Sequence, residues 1–426
     1  MRVTEKSIRK KWHLIFANLC FYPLYYERDD FVDVKQTLIK LCKINAISGR
    51  ENELVSTIKE ITKPFAKSIK IDNSGNLLVA LSDKKPLLML EAHIDQIGLI
   101  VTHISDNGFI KVSAVGGIDR RMLSAKTVTV HGKHDVHGII STLPPHVTKE
   151  EDMNKNPKIE DIVIDVAGVN VYTPTFGGGV YAKKIHKNGI ATLPMPTEAY
   201  PTETEDVCTE KIHKNSISTF PMPTAAHSVE SEDINNIISV GDSVTFNSSP
   251  IELLNNTLAY KSVDNRAGVV AVLKALELIS KSEIDIGICA AFTVQEEVGN
   301  RGSSQAAWGF EPDYAVAVDV SFAHTPDSPA YKCGKMGKGP MLGIAPSLDM
   351  TITDILFETA KKAGIPYQTE TMGGKTGTNA DNIGISRAGI KTGLVSIPIK
   401  YMHTTVETVM LEDIENTAKL LSKIRF

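Results

Sequence analysis

Predominantly apolar segments that alternate with helical patterns are the feature that most constrains how this chain can fold. A continuous apolar run lies at 86–90, and further predicted strands lie within 284–294 and at 314–318 and 393–397. The helical patterns lie at 34–42, 267–280, 351–364 and 411–424. A continuous apolar run is typical of a strand buried on both faces, and strands that alternate with helices favour parallel pairing. We therefore predict an α/β fold with a mostly parallel sheet sandwiched by helices.

A β-rich segment interrupts this alternation. Between residues 99 and 247 the apolar stretches are short, Gly and Pro separate them, and no long helical pattern occurs. This texture predicts a small β domain inserted at 99–247 into a discontinuous α/β domain made of 33–98 and 248–426. Residues 1–32 are interpreted as a dispensable N-terminal extension.

The inserted segment contains an internal repeat. The sequence KIHKN at 184–188 recurs at 211–215, and PMPT at 194–197 recurs at 221–224. Two copies are too few for a solenoid, and the region is rich in Pro, Thr and Glu but poor in large apolar residues. We interpret about 169–238 as a flexible surface insert, and its two repeated histidines as lacking a partner ligand at fixed spacing.

Charge and cysteine content restrict the partners and the compartment. The net charge is −4, which gives no general attraction for nucleic acid or anionic membranes. The five cysteines are scattered without a C-x-x-C pair, which fits a reducing cytosol. Basic residues precede a largely apolar stretch at 12–26, but polar residues and a proline interrupt it and no signal-peptide cleavage site follows. We expect a cytoplasmic protein with no nucleic-acid or membrane partner.

Histidines and carboxylates follow the apolar runs or precede a helix. These residues are His93, Asp95, Asp264, Glu296, Glu297, Asp319 and His403. The carboxyl ends of strands in an open α/β sheet form binding sites, so these side chains are expected to meet at one edge. A single acid in such a place is usually only solvated, but two adjacent glutamates after an apolar run repel each other unless a cation or proton compensates. The joint pattern predicts a metal site.

The residue types define the chemistry of such a site. Carboxylate oxygens and imidazole nitrogens suit Zn²⁺, Co²⁺ or Mn²⁺. Two such ions a few Å apart need a bridging carboxylate, and together they clamp an attacking water and the developing oxyanion. A further carboxylate that is not a ligand must take the proton of that water, and a carboxylate beside a ligating histidine orients its ring.

Five short motifs occur in the order found in a known peptidase family. They are AHIDQIG at 92–98, VDNRAG at 263–268, QEEVGNRG at 295–302, VDV at 318–320 and YMHT at 401–404. Over about residues 33–426 the chain resembles the glutamyl/deblocking aminopeptidases, the tetrahedral aminopeptidases that also include chains once called endoglucanases. The resemblance implies a metal-dependent aminopeptidase that removes N-terminal residues from short peptides through a water activated by two divalent ions, with Zn or Co favoured over Mn.

The resemblance also implies a role for each site residue. Asp264 would bridge the two ions, Glu296 would be the general base, and Asp95 would orient His93. The remaining ligands would be His93 and Asp319 for one ion, and Glu297 and His403 for the other. The inserted domain would be PDZ-like and would build dimers, which in the family assemble further into hollow dodecamers.

Three departures from the family pattern qualify these expectations. Gln96 stands where the family usually has Glu, and Asn379 replaces an Asp in the Thr-Asp-Ala segment. The repeat-bearing insert replaces a much shorter segment of the domain that mediates assembly, so we expect a homo-oligomer and favour a dimer over a dodecamer. Neither Gln96 nor Asn379 matches a metal ligand of the family.

Other classes of function remain open from the residues. A related metal-dependent amidase, such as a deacylase or carboxypeptidase, could use the same scaffold, although no Arg-rich carboxylate-binding motif is found. An inactive assembly protein would not need all five candidate ligands together with Glu296. A glycosidase could use Glu296 with a second acid, but it would not require His93 and His403.

The insert provides a first test. Deleting residues 182–232 and rejoining the chain through a short Gly/Ser linker should leave turnover per site on an aminoacyl-nitroanilide within a few-fold, because long surface loops change the closure entropy only logarithmically. Loss of folding or of bound metal in the deletion variant would show that the segment is structural.

Overall fold

The computed structural model describes residues 31–141, 146, 155–167 and 234–426. Its strands are β1 Ser68–Ile71, β2 Leu77–Ala80, β3 Leu87–His93, β4 Gly98–Ile104, β5 Ile110–Val115, β6 Thr127–His131, β7 Asp135–Ile140, β8 Val163–Asp165, β9 Ser243–Phe246, β10 Ile251–Leu253, β11 Thr257–Tyr260, β12 Gly287–Thr293, β13 Tyr314–Phe322, β14 Met341–Ile344, β15 Gln368–Thr371, β16 Lys391–Lys400 and β17 Glu407–Met410. Its helices are α1 Val34–Lys43, α2 Asn52–Thr62, α3 Ile234–Ile237, α4 Val263–Ser280, α5 Arg301–Phe310, α6 Met350–Ala363, α7 Asn379–Gly384 and α8 Leu411–Ser422.

A large mixed sheet carries the α/β part of the molecule. Within the described residues it has eleven strands, with a main order β1-β2-β12-β3-β13-β16-β17-β11-β10 and with β14 and β15 attached beside β16. The central strands β12, β3, β13 and β16 run parallel to one another. All residues of β3 and β12 are buried, as expected for strands covered on both faces. The predicted α/β class with an inserted β domain is confirmed.

The sheet is less parallel at its sides than the apolar runs suggest. β1, β2, β10, β11 and β17 pair antiparallel with their neighbours. These strands are short, and β1 and β10 are largely exposed, so they lack the long apolar runs from which the sequence pattern predicted the central strands. Within the described residues, parallel pairing therefore occurs among the central strands, which the apolar segments predicted, and between β14 and β15.

The inserted segment forms a closed barrel in the order β4-β5-β8-β7-β6-β9. Its interior is an apolar cluster of its own, separate from the clusters of the large sheet. Its first and last strands, β4 and β9, pair with each other, so the chain enters and leaves the barrel side by side. Ile234 and Ile238, at the end of the predicted flexible insert, are buried in this cluster. The rest of that insert, 169–233, lies outside the described residues.

The longest helix, α4, packs against the central strands and carries a functional residue at its start. Most of its residues are buried. Asp264 and Asn265 depart from helical dihedral angles, and the peptide bond between them is cis. At the other end, Glu277 accepts hydrogen bonds from the backbone N–H groups of Phe31 and Val32. The end of the predicted N-terminal extension is therefore anchored, and residues 1–30 lie outside the described part. No helix among the described residues is long and apolar enough to cross a membrane.

Candidate metal centre

Five elements bring the predicted site residues to one edge of the large sheet. His93 is the last residue of β3, and Asp264 lies in the first turn of α4. Glu296 and Glu297 occupy the turn between β12 and α5. Asp319 lies within β13, which continues to Phe322 instead of ending at residue 318 as predicted, and His403 lies in the turn between β16 and β17. The strand extension arises from continued pairing of β13 with β16.

Asp264 lies between the two histidines. His93 Nε2 is 3.3 Å from Asp264 Oδ1, and His403 Nε2 is 3.3 Å from Asp264 Oδ2. Two groups of three potential ligands share this carboxylate, and within each group the ligand atoms lie within 4.8 Å of one another. The groups are His93, Asp264 and Asp319, and Asp264, Glu297 and His403. Each oxygen of Asp264 thus faces a different group, which is the arrangement that a bridging carboxylate requires.

Asp95 supports this cluster from a fully buried position. Its Oδ1 is 3.4 Å from His93 Nδ1, on the side of the ring opposite to Asp264. The same carboxylate accepts hydrogen bonds from the backbone N–H groups of Glu296, at 2.9 Å, and Glu297, at 3.1 Å. Ser48 Oγ donates a further hydrogen bond at 2.6 Å. Asp95 therefore holds the backbone of the two adjacent glutamates and lies beside the ring of His93.

Crowding of carboxylates governs the electrostatics. The pKa of Glu296 is raised to about 8, chiefly by burial; the charges of Asp319, Asp264 and Asp95 act in the same direction, while His93 opposes the shift. Burial and the charge of Asp264 also raise the pKa of Glu297 well above its usual range. Burial would raise the pKa of Asp264 as well, but hydrogen bonds from His403 and His93 lower it. Such a concentration of acids calls for a compensating cation.

The cluster lines a cavity of about 430 Å³. Polar side chains and loop residues complete the lining on the other side, at Ser321, Phe322, Thr376, Gly377, Thr378 and Met402. Among the described residues that line the cavity, none is a lysine or arginine, so His93 and His403 are the only side chains of that lining that can carry a positive charge. Carboxylates and imidazoles without a lysine or arginine form a donor set that fits two divalent metal ions. Glu296 also lines the cavity, but it belongs to neither ligand group.

Glu407 holds two of the candidate ligands and was not selected from the sequence. It is 1% exposed, and its two carboxylate oxygens accept hydrogen bonds from the backbone N–H groups of Asp264, at 3.0 Å, and His403, at 2.7 Å. No motif signals this role, because both partners are backbone groups. The only available signal was an acidic residue at the start of a strand four residues after His403.

The structure gives Asn379 a partner that the sequence did not suggest. Its Nδ2 donates hydrogen bonds to Glu91 Oε1 at 2.7 Å and to Thr293 Oγ1 at 3.0 Å. Asn379 and Glu91 are each 1% exposed, and burial raises the pKa of Glu91 to about 7 although these hydrogen bonds oppose the shift. An aspartate at position 379 would lack the donor and would place a second carboxylate against Glu91. The amide of Asn379 therefore supplies a hydrogen-bond donor to the buried Glu91, which an aspartate at this position could not do.

Gln96, the other departure, faces a buried arginine. Arg266 is fully buried; its guanidinium donates to the Ile94 carbonyl and, at 3.2 Å, to Gln96 Oε1. Gln96 Oε1 also accepts from the Ala46 backbone N–H at 3.3 Å. The neutral side chain thus supplies an acceptor that links the segment after β3 to α4, and it is not part of the cavity lining.

Two solved structures with the same fold are peptidases from archaea. An aminopeptidase from the archaeon Desulfurococcus kamchatkensis superimposes with a TM-score of 0.71 at 29% identity, covering 92% of this chain and 93% of that one. The TET1 peptidase of Pyrococcus horikoshii superimposes with a TM-score of 0.69 at 27% identity, covering 92% and 99%. A lysyl aminopeptidase of Pyrococcus furiosus is 28% identical over 384 residues, which span 89% of this chain and 93% of the relative. The fold is thus one that known aminopeptidases share.

The family can be stated more narrowly. The model of the M42 glutamyl aminopeptidase family matches residues 75–170 and 209–420, which is more than half of the chain. The chain belongs to this family, and the resemblance inferred from the five motifs is confirmed. It is a hydrolase of the aminopeptidase type.

The contacts of Glu407 lead to a testable prediction. Glu407→Gln should weaken metal binding by roughly 10-fold to 100-fold, the usual effect of removing a group that orients ligands, because an amide offers one acceptor in place of two. Metal retained after dialysis against a chelator measures the effect. Glu412→Gln, an exposed acid on α8, is the matched control. Unchanged metal retention in the Glu407 variant would contradict the role assigned here.

The Asn379–Glu91 pair gives a second prediction. Asn379→Asp should lower the free energy of unfolding by about 1–3 kcal/mol, since it removes one of the two donors to the buried Glu91 and places a second carboxyl group beside it. Adding Glu91→Gln restores a donor and should recover most of the loss. Chemical denaturation at pH 7 measures both, with Asn255→Asp as the same change at an exposed site. Equal stability of the single variant and the wild type would refute this explanation of the departure.

Proposed function

We propose that the chain is a two-metal aminopeptidase that hydrolyses the first peptide bond of short peptides. The observation that carries this proposal is the position of Asp264, whose two oxygens each lie 3.3 Å from a different histidine at the junction of two ligand groups. In this proposal Asp264 bridges the ions, His93 and Asp319 complete one group, and Glu297 and His403 complete the other. Two divalent ions, Zn²⁺ or Co²⁺ and also Mn²⁺, suit these ligands.

Each remaining residue has a distinct task. When bound, the ions supply Lewis acidity that activates a water and stabilises the developing oxyanion. Glu296, which lines the cavity without belonging to either ligand group, takes the proton of the attacking water and returns it to the leaving amine. Asn300 Nδ2 donates to Glu296 Oε1 at 3.0 Å, which leaves Oε2 directed toward the cluster, 3.9 Å from His93 Nε2. Asp95 fixes the ring of His93 and the turn that carries Glu296.

We propose peptides as substrates and a homo-oligomer, at least a dimer, as the assembled form in the cytoplasm. The support for assembly comes from the similar Pyrococcus horikoshii TET1 peptidase, which assembles into a tetrahedron or a large octahedral shell. The insert at 169–238 falls within the barrel segment, so a dimer remains our expectation for this chain.

Two adjacent glutamates allow the proposal to be tested with a matched pair of variants. Glu296→Gln should keep the metal content near that of the wild type but lower turnover by roughly 10²-fold or more, the usual range for losing a general base. Glu297→Gln and Asp264→Ala should lose metal instead. Turnover is measured on aminoacyl-nitroanilides with Zn²⁺, Co²⁺ or Mn²⁺ added back, and metal content by elemental analysis. Full turnover of Glu296→Gln at saturating metal would assign the base to another group.

A further inference from the structure

The loop that follows barrel strand β5 lies directly against one of the two ligand groups. A Cβ atom added at Gly116 would lie 3.1 Å from Glu297 Oε2, and one added at Gly117 would lie 3.2 Å from His403 Nδ1. Both distances are shorter than ordinary van der Waals contact, so the glycine backbone fills the space beside these two side chains. The backbone of this barrel loop is therefore packed against the ligand group that contains Glu297 and His403.

The barrel segment also holds the turn that carries His403. The Asp119 backbone N–H donates to the His403 carbonyl at 3.3 Å, and Lys126 Nζ donates to Thr405 Oγ1 at 3.1 Å. Ser248 Oγ, where the chain leaves the barrel, donates to the Thr405 carbonyl at 2.7 Å. These contacts matter because His403 lies in a turn, with a φ angle of +61°.

The ligand group that contains His93 and Asp319 is positioned by the large sheet and not by the barrel. His93 and Asp319 lie on the adjacent central strands β3 and β13, and their positions are set by the pairing of the large sheet. The side chain of His93 is 2% exposed, whereas that of His403 is 33% exposed. One group is thus built into the sheet, and the other depends on loops that the barrel contacts.

We propose that the Gly116–Gly117 loop of the inserted barrel positions Glu297 and His403 for metal binding. The ion held by Glu297 and His403 therefore depends on the barrel. The ion held by His93 and Asp319 does not. Gly116 and Gly117 are positioning residues that contact ligands, not reacting atoms. The inference rests on the proposed two-metal function. It predicts that the two ions bind with unequal affinity and that changes in the loop widen the difference.

Gly117 is the position where this can be tested most directly. Its φ angle lies outside the left-handed region, unlike the +80° of Gly116, so alanine fits the backbone and only the space beside His403 opposes it. In Gly117→Ala the second Co²⁺ should bind roughly 10-fold to 100-fold more weakly, and the first should bind within a few-fold of wild type. Calorimetric titration of the metal-free full chain gives both affinities. The absorption spectrum of the second Co²⁺ equivalent reports the changed ligand geometry.

Two further variants make the outcome decisive. Gly309→Ala on α5, where an added Cβ makes an ordinary 3.6 Å contact, should bind both ions like the wild type. Lys126→Met removes only the contact to Thr405, and it should weaken the second ion in the same direction, by a smaller factor, even if Gly117→Ala fails to fold. Wild-type affinities in both loop variants, or equal weakening of both ions, overturn the inference alone. A wild-type chain that takes up a single Co²⁺ overturns the two-metal proposal and this inference with it.

Discussion

Repulsion among the buried carboxylates of one cavity is the constraint on which the rest of this site depends. The ligand atoms of Asp264 and Asp319 lie within 4.8 Å of each other, and two like charges at that distance repel by about 3.5 kcal/mol at an effective dielectric constant of 20. Glu296 and Glu297 add to this crowding, and burial disfavours their charged forms further. The two histidines offset part of this charge, since their hydrogen bonds lower the pKa of Asp264. The acids that remain crowded around them favour a site that binds divalent cations.

Buried acceptors that bind backbone groups hold the crowded side chains in place. Asp95 accepts from the N–H groups of Glu296 and Glu297, and Glu407 accepts from those of Asp264 and His403. Asp95 uses its two oxygens to hold the one turn that carries both glutamates, whereas Glu407 joins the start of α4 to the turn that carries His403. Hydrogen bonds to such buried acceptors fix the backbone from which these side chains project. The ligands are therefore positioned through their main chain as well as through their side chains.

The central strands, the inserted β domain and the main helices could be predicted because long apolar runs and helical spacing encode them locally. The predicted helix at 411–424 agrees closely with α8. Short strands such as β10 and β17 carry no such run, and their formation depends on neighbours that are distant in sequence. The histidines and acids of the cluster followed from their placement after apolar runs and from the family resemblance. Glu407 and Gly117 did not, because one acts through backbone N–H groups and the other through the space that its missing side chain leaves open.

The side-by-side entry and exit of the barrel also bear on how the sheet can assemble. His93 and Asp264 are far apart in the sequence, and the long segment between them would ordinarily make their meeting slow, since folding rates fall as contacts become less local. Pairing of β4 with β9 removes most of that separation, because a folded barrel presents its two ends at adjacent strands. Only the segments 94–98 and 245–263 then separate the two residues, and the entropic cost of closing a loop falls with its length, although only logarithmically. A chain that folds the barrel first therefore forms the large sheet with a lower effective contact order.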